Sequence, residues 1–173
     1  MSAEHVERMR LRYRPDDLFE LVSDVRRYPD FIKPITAMRI TQDDVRDGVG
    51  ELVAEARIRF KFVREGFTTR VTLDKSARTI DVTYLTGPFH DLANHWRFHE
   101  LEDGSTLVDF WIRYGFKNPV LQMLLDGNRS RAIRYLISAF EDEAANRYQQ
   151  VGAQEFDLGP ALAALPEPSG ASA

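Results

Sequence analysis

A pair of histidines, one amide, two tyrosines and one glutamate are the side chains whose types and spacing could do chemistry. His95 and His99 stand four residues apart. On a helix they would share a metal ion. On a strand they would be about 13 Å apart, too far for one ion. Leu92, Asn94, Trp96 and Phe98 alternate with Ala93, His95, Arg97 and His99, which predicts a strand, so no metal site is expected. Asn94 falls on the apolar side of that strand. A buried amide needs partners; these are either a neighbouring strand or loop, or a carbonyl oxygen on a ligand. Tyr84 and Tyr114 each bring an apolar ring with a polar tip and carry the same two readings. Glu65 with Arg70 could form a cavity acid and its counter-charge. Left inward and unpaired, Glu65 would have a raised pKa, as a cyclase's general base needs. The alternative is a bulge at Gly66 that turns Glu65 to solvent, and that is the expectation. No Gly-x-Ser-x-Gly elbow and no Gly-x-Gly-x-x-Gly loop occurs. No catalytic residue is therefore expected.

Composition narrows the classes further. The chain has 173 residues, 43% of them hydrophobic, enough for one self-sufficient core. It carries 23 Lys+Arg against 27 Asp+Glu. Three of those acids (Glu155, Asp157 and Glu167) follow Val151, and no base does, so the body is near neutral. A strong duplex-binding footprint is thereby disfavoured. Cysteine is absent, which excludes disulfides, thiolate metal sites and thiol nucleophiles. No apolar run is long enough to span a bilayer, and the charged start Met1–Arg14 lacks the apolar stretch of a secretory signal.

The elements that must position these groups follow from periodicity. Met9, Leu11 and Tyr13 alternate with Arg8, Arg10 and Arg12 as a half-buried strand. Pro15 opens a helix whose apolar face is Leu18, Leu21, Val22 and Val25, and Tyr28–Phe31 reads as a turn. Strands are expected over Ile35–Gln42, Leu52–Phe60, Gly66–Leu73, Ile80–Tyr84, Leu92–Phe98 and Val108–Phe116. Phe60 is assigned the inner face, and Arg57, Arg59 and Lys61 the outer. The period then changes to 3.6 from Pro119 to about Gln150, which predicts one long helix running through Gly127. Its stripe is Leu121, Leu125, Ala132, Leu136, Ala139 and Phe140, with Ile133 and Ile137 beside it. Residues 1–150 make one domain, and the Ala-, Pro- and Gly-rich 151–173 a mobile tail. Phe156, Leu158, Leu162 and Leu165 offer that tail a second role as a plug.

The fold class is α+β. About seven strands form a curved antiparallel sheet, and the long C-terminal helix is the element able to cover its apolar face. A small-residue helix stripe over an aromatic floor means either plain interdigitation or an apolar cavity for a small ligand.

Four segments carry a family resemblance. They are Leu18-Phe19-Glu20-Leu21-Val22-Ser23-Asp24-Val25-Arg26-Arg27-Tyr28-Pro29-Asp30-Phe31, Phe60–Val71, Gly87–Phe98 and Tyr114-Gly115-Phe116-Lys117-Asn118-Pro119. Together they resemble the coenzyme Q-binding START-like proteins of the polyketide cyclase/dehydrase and lipid-transport superfamily. One departure is Ile32-Lys33-Pro34-Ile35, where that family usually reads Leu-Pro-Trp-Cys. The resemblance implies a helix-grip fold with a hydrophobic tunnel under the C-terminal helix. Its ligand would be ubiquinone or a similar isoprenoid, bound without catalysis and without a further cofactor. The expected ligand-facing set is Phe31, Phe60, Phe67, Tyr84, Asn94, Trp96, Phe98, Phe110, Ile112, Tyr114, Leu125, Ala132 and Leu136. Arg57, Arg59 and Lys61 are the expected surface contact, either solvated, on anionic lipid head groups or on ribosomal RNA, and Arg129, Arg131 and Arg134 share that ambiguity. Ribosome association toxins carry the same family label, so binding to the large ribosomal subunit is the alternative function; an aromatase/cyclase-like enzyme is the third. The expected location is cytoplasmic, at the inner membrane face when a quinone is exchanged.

Overall fold

The computed structural model describes residues 2–167. Met1 and residues 168–173, the end of the expected mobile tail, lie outside the described residues. The elements run β1 (Ala3–Leu11), α1 (Pro15–Ser23), a single 3-10 turn, α2 (Tyr28–Phe31), β2 (Ile35–Asp43), β3 (Val49–Phe60), β4 (Val63–Asp74), β5 (Thr79–Thr86), β6 (Phe89–Glu100), β7 (Thr106–Phe116), α3 (Pro119–Asp126), α4 (Arg129–Arg147) and α5 (Gly159–Ala164). The strands form one antiparallel sheet in the order β1-β7-β6-β5-β4-β3-β2. Every neighbour is reached by a hairpin except β1–β7, which brings the chain's first strand against its last and needs the whole sheet in between.

Register fixes the inner face. Trp96 pairs with Phe110 and Ile80, and Asn94 with Ile112 and Val82. Across β4 the same face carries Leu73, Val71, Thr69, Phe67 and Glu65, opposite Gly50, Leu52, Ala54, Ala56 and Ile58 of β3. The β3–β4 ladder is regular through Gly66. The expected bulge is therefore absent, and Glu65 shares the inner face with Ile58 and Phe67. Arg70 points outward, 3.5 Å from Glu51, so it is no counter-charge to Glu65.

The core sits where α1, α2 and α4 cover one end of the sheet. Phe140 of α4 is its centre. Its ring meets Trp96 at 5.3 Å, Tyr28 at 5.3 Å and Phe31 at 5.5 Å, all edge-on. Edge-to-face geometry lets each ring's positive rim meet a neighbour's negative face. Below them Leu21, Val22, Val108 and Phe110 are fully buried. A second apolar group at the other end joins Phe89, Tyr114 and Phe116 to Leu121 and Leu125 of α3.

One long helix was expected after Pro119, and the structure corrects this to two. Asn118 caps α3 by accepting from the Val120 amide, and Pro119 takes the first turn. α3 then closes at Gly127, whose amide donates to the Met123 carbonyl, and α4 restarts from Asn128. The break resets the helical phase. Ile133, Phe140 and Ala144 are the buried positions of α4, and Ala132, expected on the inner stripe, is exposed.

The tail does not take the plugging position that Phe156, Leu158, Leu162 and Leu165 suggested. Its described part, 151–167, lies on the sheet's outer face, away from the apolar interior. Val151 N donates to Arg12 O, the Arg10 guanidinium to Ala153 O, and the Arg8 guanidinium to Pro166 O. Phe156 stacks under Arg10 at 5.1 Å. On that outer face Leu107 and Trp111 are buried to 1% and 4% exposure, Trp111 beneath the His95 ring and the Arg113 guanidinium. Asp103 ties it down. Its carboxylate accepts from Ser105, from Ala153 N at 2.9 Å and from Arg10 at 2.6 Å. Burial pushes this carboxyl up, but those hydrogen bonds more than reverse it and hold it well below the usual carboxylate range.

Two outcomes follow. Phe140→Ala is expected to cost about 3–5 kcal/mol in urea unfolding, as a large core ring lost without collapse. Asp103 has a folded-state pKa below its unfolded one, so its contribution is present above about pH 4 and lost as pH falls through the acid range. Asp103→Asn should therefore lower the protection factor of the Ala153 amide at neutral pH toward the value the parent protein shows in strong acid. Unchanged exchange would disconnect Asp103 from tail docking.

Candidate functional site

The two apolar groups cover the two ends of the inner face and leave its middle thinly covered. Val82, Tyr84, Asn94 and Ile112 are adjacent on β5, β6 and β7 and all point inward, yet each is only half-buried. Phe67, one strand further, is half-buried too. The neighbouring inner residues Trp96, Phe110 and Tyr114 are buried. α4 packs on the sheet through Phe140 against Trp96, and α3 through Leu121 and Leu125 against Tyr114 and Phe116. We call the half-buried strip between these two contacts the groove. Val82, Asn94 and Ile112 form its floor. Ile133 and Leu136 of α4 belong to the same apolar core as Val82 and Ile112, Leu125 of α3 groups with Phe67, Tyr84 and Ile112, and Ile58 and Glu65 continue the inner face toward the hairpin tip.

This corrects the expectation of a hydrophobic tunnel beneath the C-terminal helix. There the rings fill the space. An apolar cavity of about 10 Å³ remains, lined by Met9, Leu21, Trp96, Phe98, Ile137 and Phe140 among others. That is at the limit for a single water and far below a prenyl unit.

The expected site residues therefore separate. Phe67, Tyr84, Asn94, Ile112, Leu125 and Leu136 border the groove. Trp96, Phe98, Phe110 and Tyr114 are buried in packing: Phe98 meets Phe19 at 6.5 Å and Trp96 at 6.1 Å. Phe31 packs on Phe140 beneath the Arg147 guanidinium, away from the groove. Ala132 and Phe60 are exposed. Phe60 keeps its inner-face parity, but β2 stops pairing at Ile58 and β5 at Thr68. The hairpin therefore projects beyond both neighbours, and nothing stands over Phe60. Arg57, Arg59 and Lys61 lie on that hairpin, outward or at its tip, as expected.

The polar groups of the groove are few. Asn94 Nδ2 donates to the Trp111 carbonyl at 2.8 Å, the neighbouring-strand partner. The Tyr84 hydroxyl accepts from Phe89 N at 3.2 Å and keeps its own proton for another acceptor. Burial pushes the Tyr114 phenol up, with Arg129 opposing. Sequence reasoning missed His5 and Glu7, which share the inner face of β1 with Met9; His5 Nε2 lies 3.0 Å from Glu7 Oε1. Their alternation with Met9 and Leu11 was the available signal. His95 and His99 face outward, where burial lowers both their pKa values, and the His95 ring packs on Trp111 at 4.8 Å. Among the described residues no three metal-ligating side chains converge. No described helix is long and apolar enough to cross a membrane.

Comparison with known proteins matches residues 11–141 to the family described as polyketide cyclase / dehydrase and lipid transport. The chain is 31% identical over 137 residues to the ribosome association toxin RatA of Rickettsia prowazekii, covering 78% of this chain and 90% of that one. It is 26% identical over 139 residues to the mitochondrial coenzyme Q-binding protein coq10 of Schizosaccharomyces pombe, covering 79% and 84%. Among solved structures, an 18 kDa protein of Caulobacter crescentus is 46% identical with a TM-score of 0.70, covering 83% of this chain and 97% of that one. The Zhui aromatase/cyclase of Streptomyces sp. R1128 superposes with a TM-score of 0.72 at 18% identity over 85% and 96%, a likeness of fold.

Gly87 shapes the groove's hairpin side. It holds φ at +142°, and a Cβ there would lie 2.6 Å from Phe67 Cβ. Gly87→Ala is expected to cost about 1–3 kcal/mol in thermal unfolding and to displace Phe67. A variant as stable as the parent would show that the strand kink relaxes without strain.

Proposed function

From its membership of the polyketide cyclase / dehydrase and lipid transport family, to which the matched residues 11–141 assign it, we propose that this chain is a non-catalytic carrier for an isoprenoid quinone such as ubiquinone. The observation that carries this reading is the half-buried apolar strip of Val82, Ile112 and Phe67 beside the Asn94 amide and the Tyr84 hydroxyl. An isoprenoid quinone needs both kinds of surface. Each buried CH₂ is worth about 0.8 kcal/mol, so a prenyl tail leaves a bilayer very slowly unless something shields it. The groove offers that shield to the head group and the first isoprenes. The Tyr84 proton can meet a quinone carbonyl oxygen. Its openness suits a guest whose distal tail stays in the membrane.

No bond need break for this task. Glu65 and the His5–Glu7 pair are ionisable groups of the inner face, but they sit at its edges. His5 pairs in register with Ile112 and its ring is held by Glu7, and neither that pair nor Glu65 makes a described hydrogen bond to Asn94 or Tyr84.

A second reading has its own support. Arg57, Arg59, Lys61 and Arg64 share the β3–β4 hairpin, and no described carboxylate pairs with any of them. Ribosome-binding regulators could use such a row on phosphates, and the RatA likeness fits that use.

The test is uptake of short-chain ubiquinone from detergent micelles, followed by organic extraction and mass spectrometry. The parent protein should retain the quinone. Ile112→Trp, which fills the floor while keeping it apolar, should reduce retention at least tenfold without unfolding the chain. Equal retention by Ile112→Trp, or none by the parent, would contradict the proposal. Co-sedimentation with large ribosomal subunits that weakens with salt, in a protein taking up no quinone, would favour the second reading.

A further inference from the structure

Eight large apolar side chains stand exposed among the described residues, and six of them gather at one end of the sheet: Phe60, Phe62, Leu85, Val120, Met123 and Leu124. The topology explains the meeting. The β3–β4 tip, the β5–β6 turn and the β7–α3 junction all lie at the same end of an antiparallel sheet. Phe60 and Phe62 are 56% and 73% exposed, and Val120 and Met123 are 57% and 69% exposed. α3 is apolar on two sides. Leu121 and Leu125 turn inward to Tyr114 and Phe116. Val120, Met123 and Leu124 recur at positions i, i+3 and i+4 on the side left to solvent, where an ordinary surface helix is polar. Exposed apolar groups gathered in this way mark an interaction surface.

The charges around them point to the partner. Arg57, Arg59, Lys61, Arg64 and Lys117 stand at this end, and none has an acidic partner among the described residues. Of the nearby carboxylates, Asp91 binds Arg113 and Glu65 faces the groove, while Asp126, which accepts from Gln122, and the exposed Glu4 leave the cations at this end in excess. Cations alone would suit a phosphate backbone of either kind. The aliphatic side of α3 would not, because base stacking offers Val120, Met123 and Leu124 no apolar phase to enter. The boundary between head groups and acyl chains takes both sets of side chains at once.

We infer that this end of the molecule docks on an anionic phospholipid bilayer, with Phe60, Phe62 and the outer side of α3 entering the headgroup boundary and the hairpin cations on the head groups. The inference deepens the carrier reading and rests on it for its purpose. The groove opens between the same hairpin and α3, so a docked molecule would exchange an apolar guest without passing it through water.

The experiment is vesicle sedimentation with phosphatidylcholine alone or mixed with phosphatidylglycerol. The parent protein should bind the mixed vesicles more tightly, and less so in high salt. Lys61→Glu should weaken that binding about tenfold or more. Phe62→Ser and Met123→Ser should each weaken it by about tenfold. Val49→Ser, exposed at the opposite end, should change nothing. Circular dichroism checks the fold of each variant. Failure of the parent to bind mixed vesicles would overturn the inference, and so would binding that survives Phe62→Ser combined with Met123→Ser. Attachment to ribosomal subunits that these substitutions abolish, without vesicle binding, would overturn it in favour of RNA. Quinone uptake from micelles keeps the two proposals apart. Vesicle binding without uptake contradicts the groove alone, and uptake without vesicle binding contradicts the docking surface alone.

Discussion

A curved sheet of seven strands exposes more apolar inner face than the helices above it can cover. That mismatch is the constraint from which the candidate site arises. The chain covers the two ends of the sheet well and the middle poorly. At one end Phe140 is held among Trp96, Tyr28 and Phe31, and this contact fixes where α4 lands. At the other, Leu121 and Leu125 seat α3 on Tyr114 and Phe116. The break at Gly127 and Asn128 lets each helix satisfy its own end. A single straight helix could not follow both. The cost of the compromise is a half-covered strip along Val82, Asn94 and Ile112.

The same mismatch shapes the molecule's exterior. β3 and β4 outrun their neighbours, so their shared tip leaves the sheet with its aromatic residues uncovered. On the far side of the sheet the surplus is handled differently. Leu107 and Trp111 lie buried on that face, where the segment 151–167 is held by hydrogen bonds to the outward arginines of β1. That segment lies beyond the residues matched to the family.

Much of this was legible from periodicity. Leu92-Ala93-Asn94-His95-Trp96 alternates so cleanly that its strand, its inner face and the outward histidines follow directly. The order of elements led to the antiparallel sheet and its covering helix, and the four resembling segments to the family. Other features depended on long-range facts that alternation does not encode. Phe60 has the right parity for the interior, but its burial is decided by where β2 and β5 end. Gly66 suggested a bulge because glycine permits one, whereas the regular ladder to Arg57 needed none. Gly127 fits a helical pattern on spacing, but two separate packing surfaces forced the chain to break there. Ala132 then lost its place to Ile133. The tail's composition suggested mobility, and no local pattern could reveal that Asp103 and the β1 arginines would hold it.

With the Phe140 side filled, the half-buried strip around Ile112 is the place where a guest would enter. The most direct measurement is methyl NMR of isotope-labelled protein titrated with short-chain ubiquinone in detergent. Shifts confined to Val82, Ile112, Ile133 and Leu136, with Leu18, Leu21 and Val108 still, are the expected result. Shifts centred on Leu21 and Val108, or no shift anywhere, would contradict it.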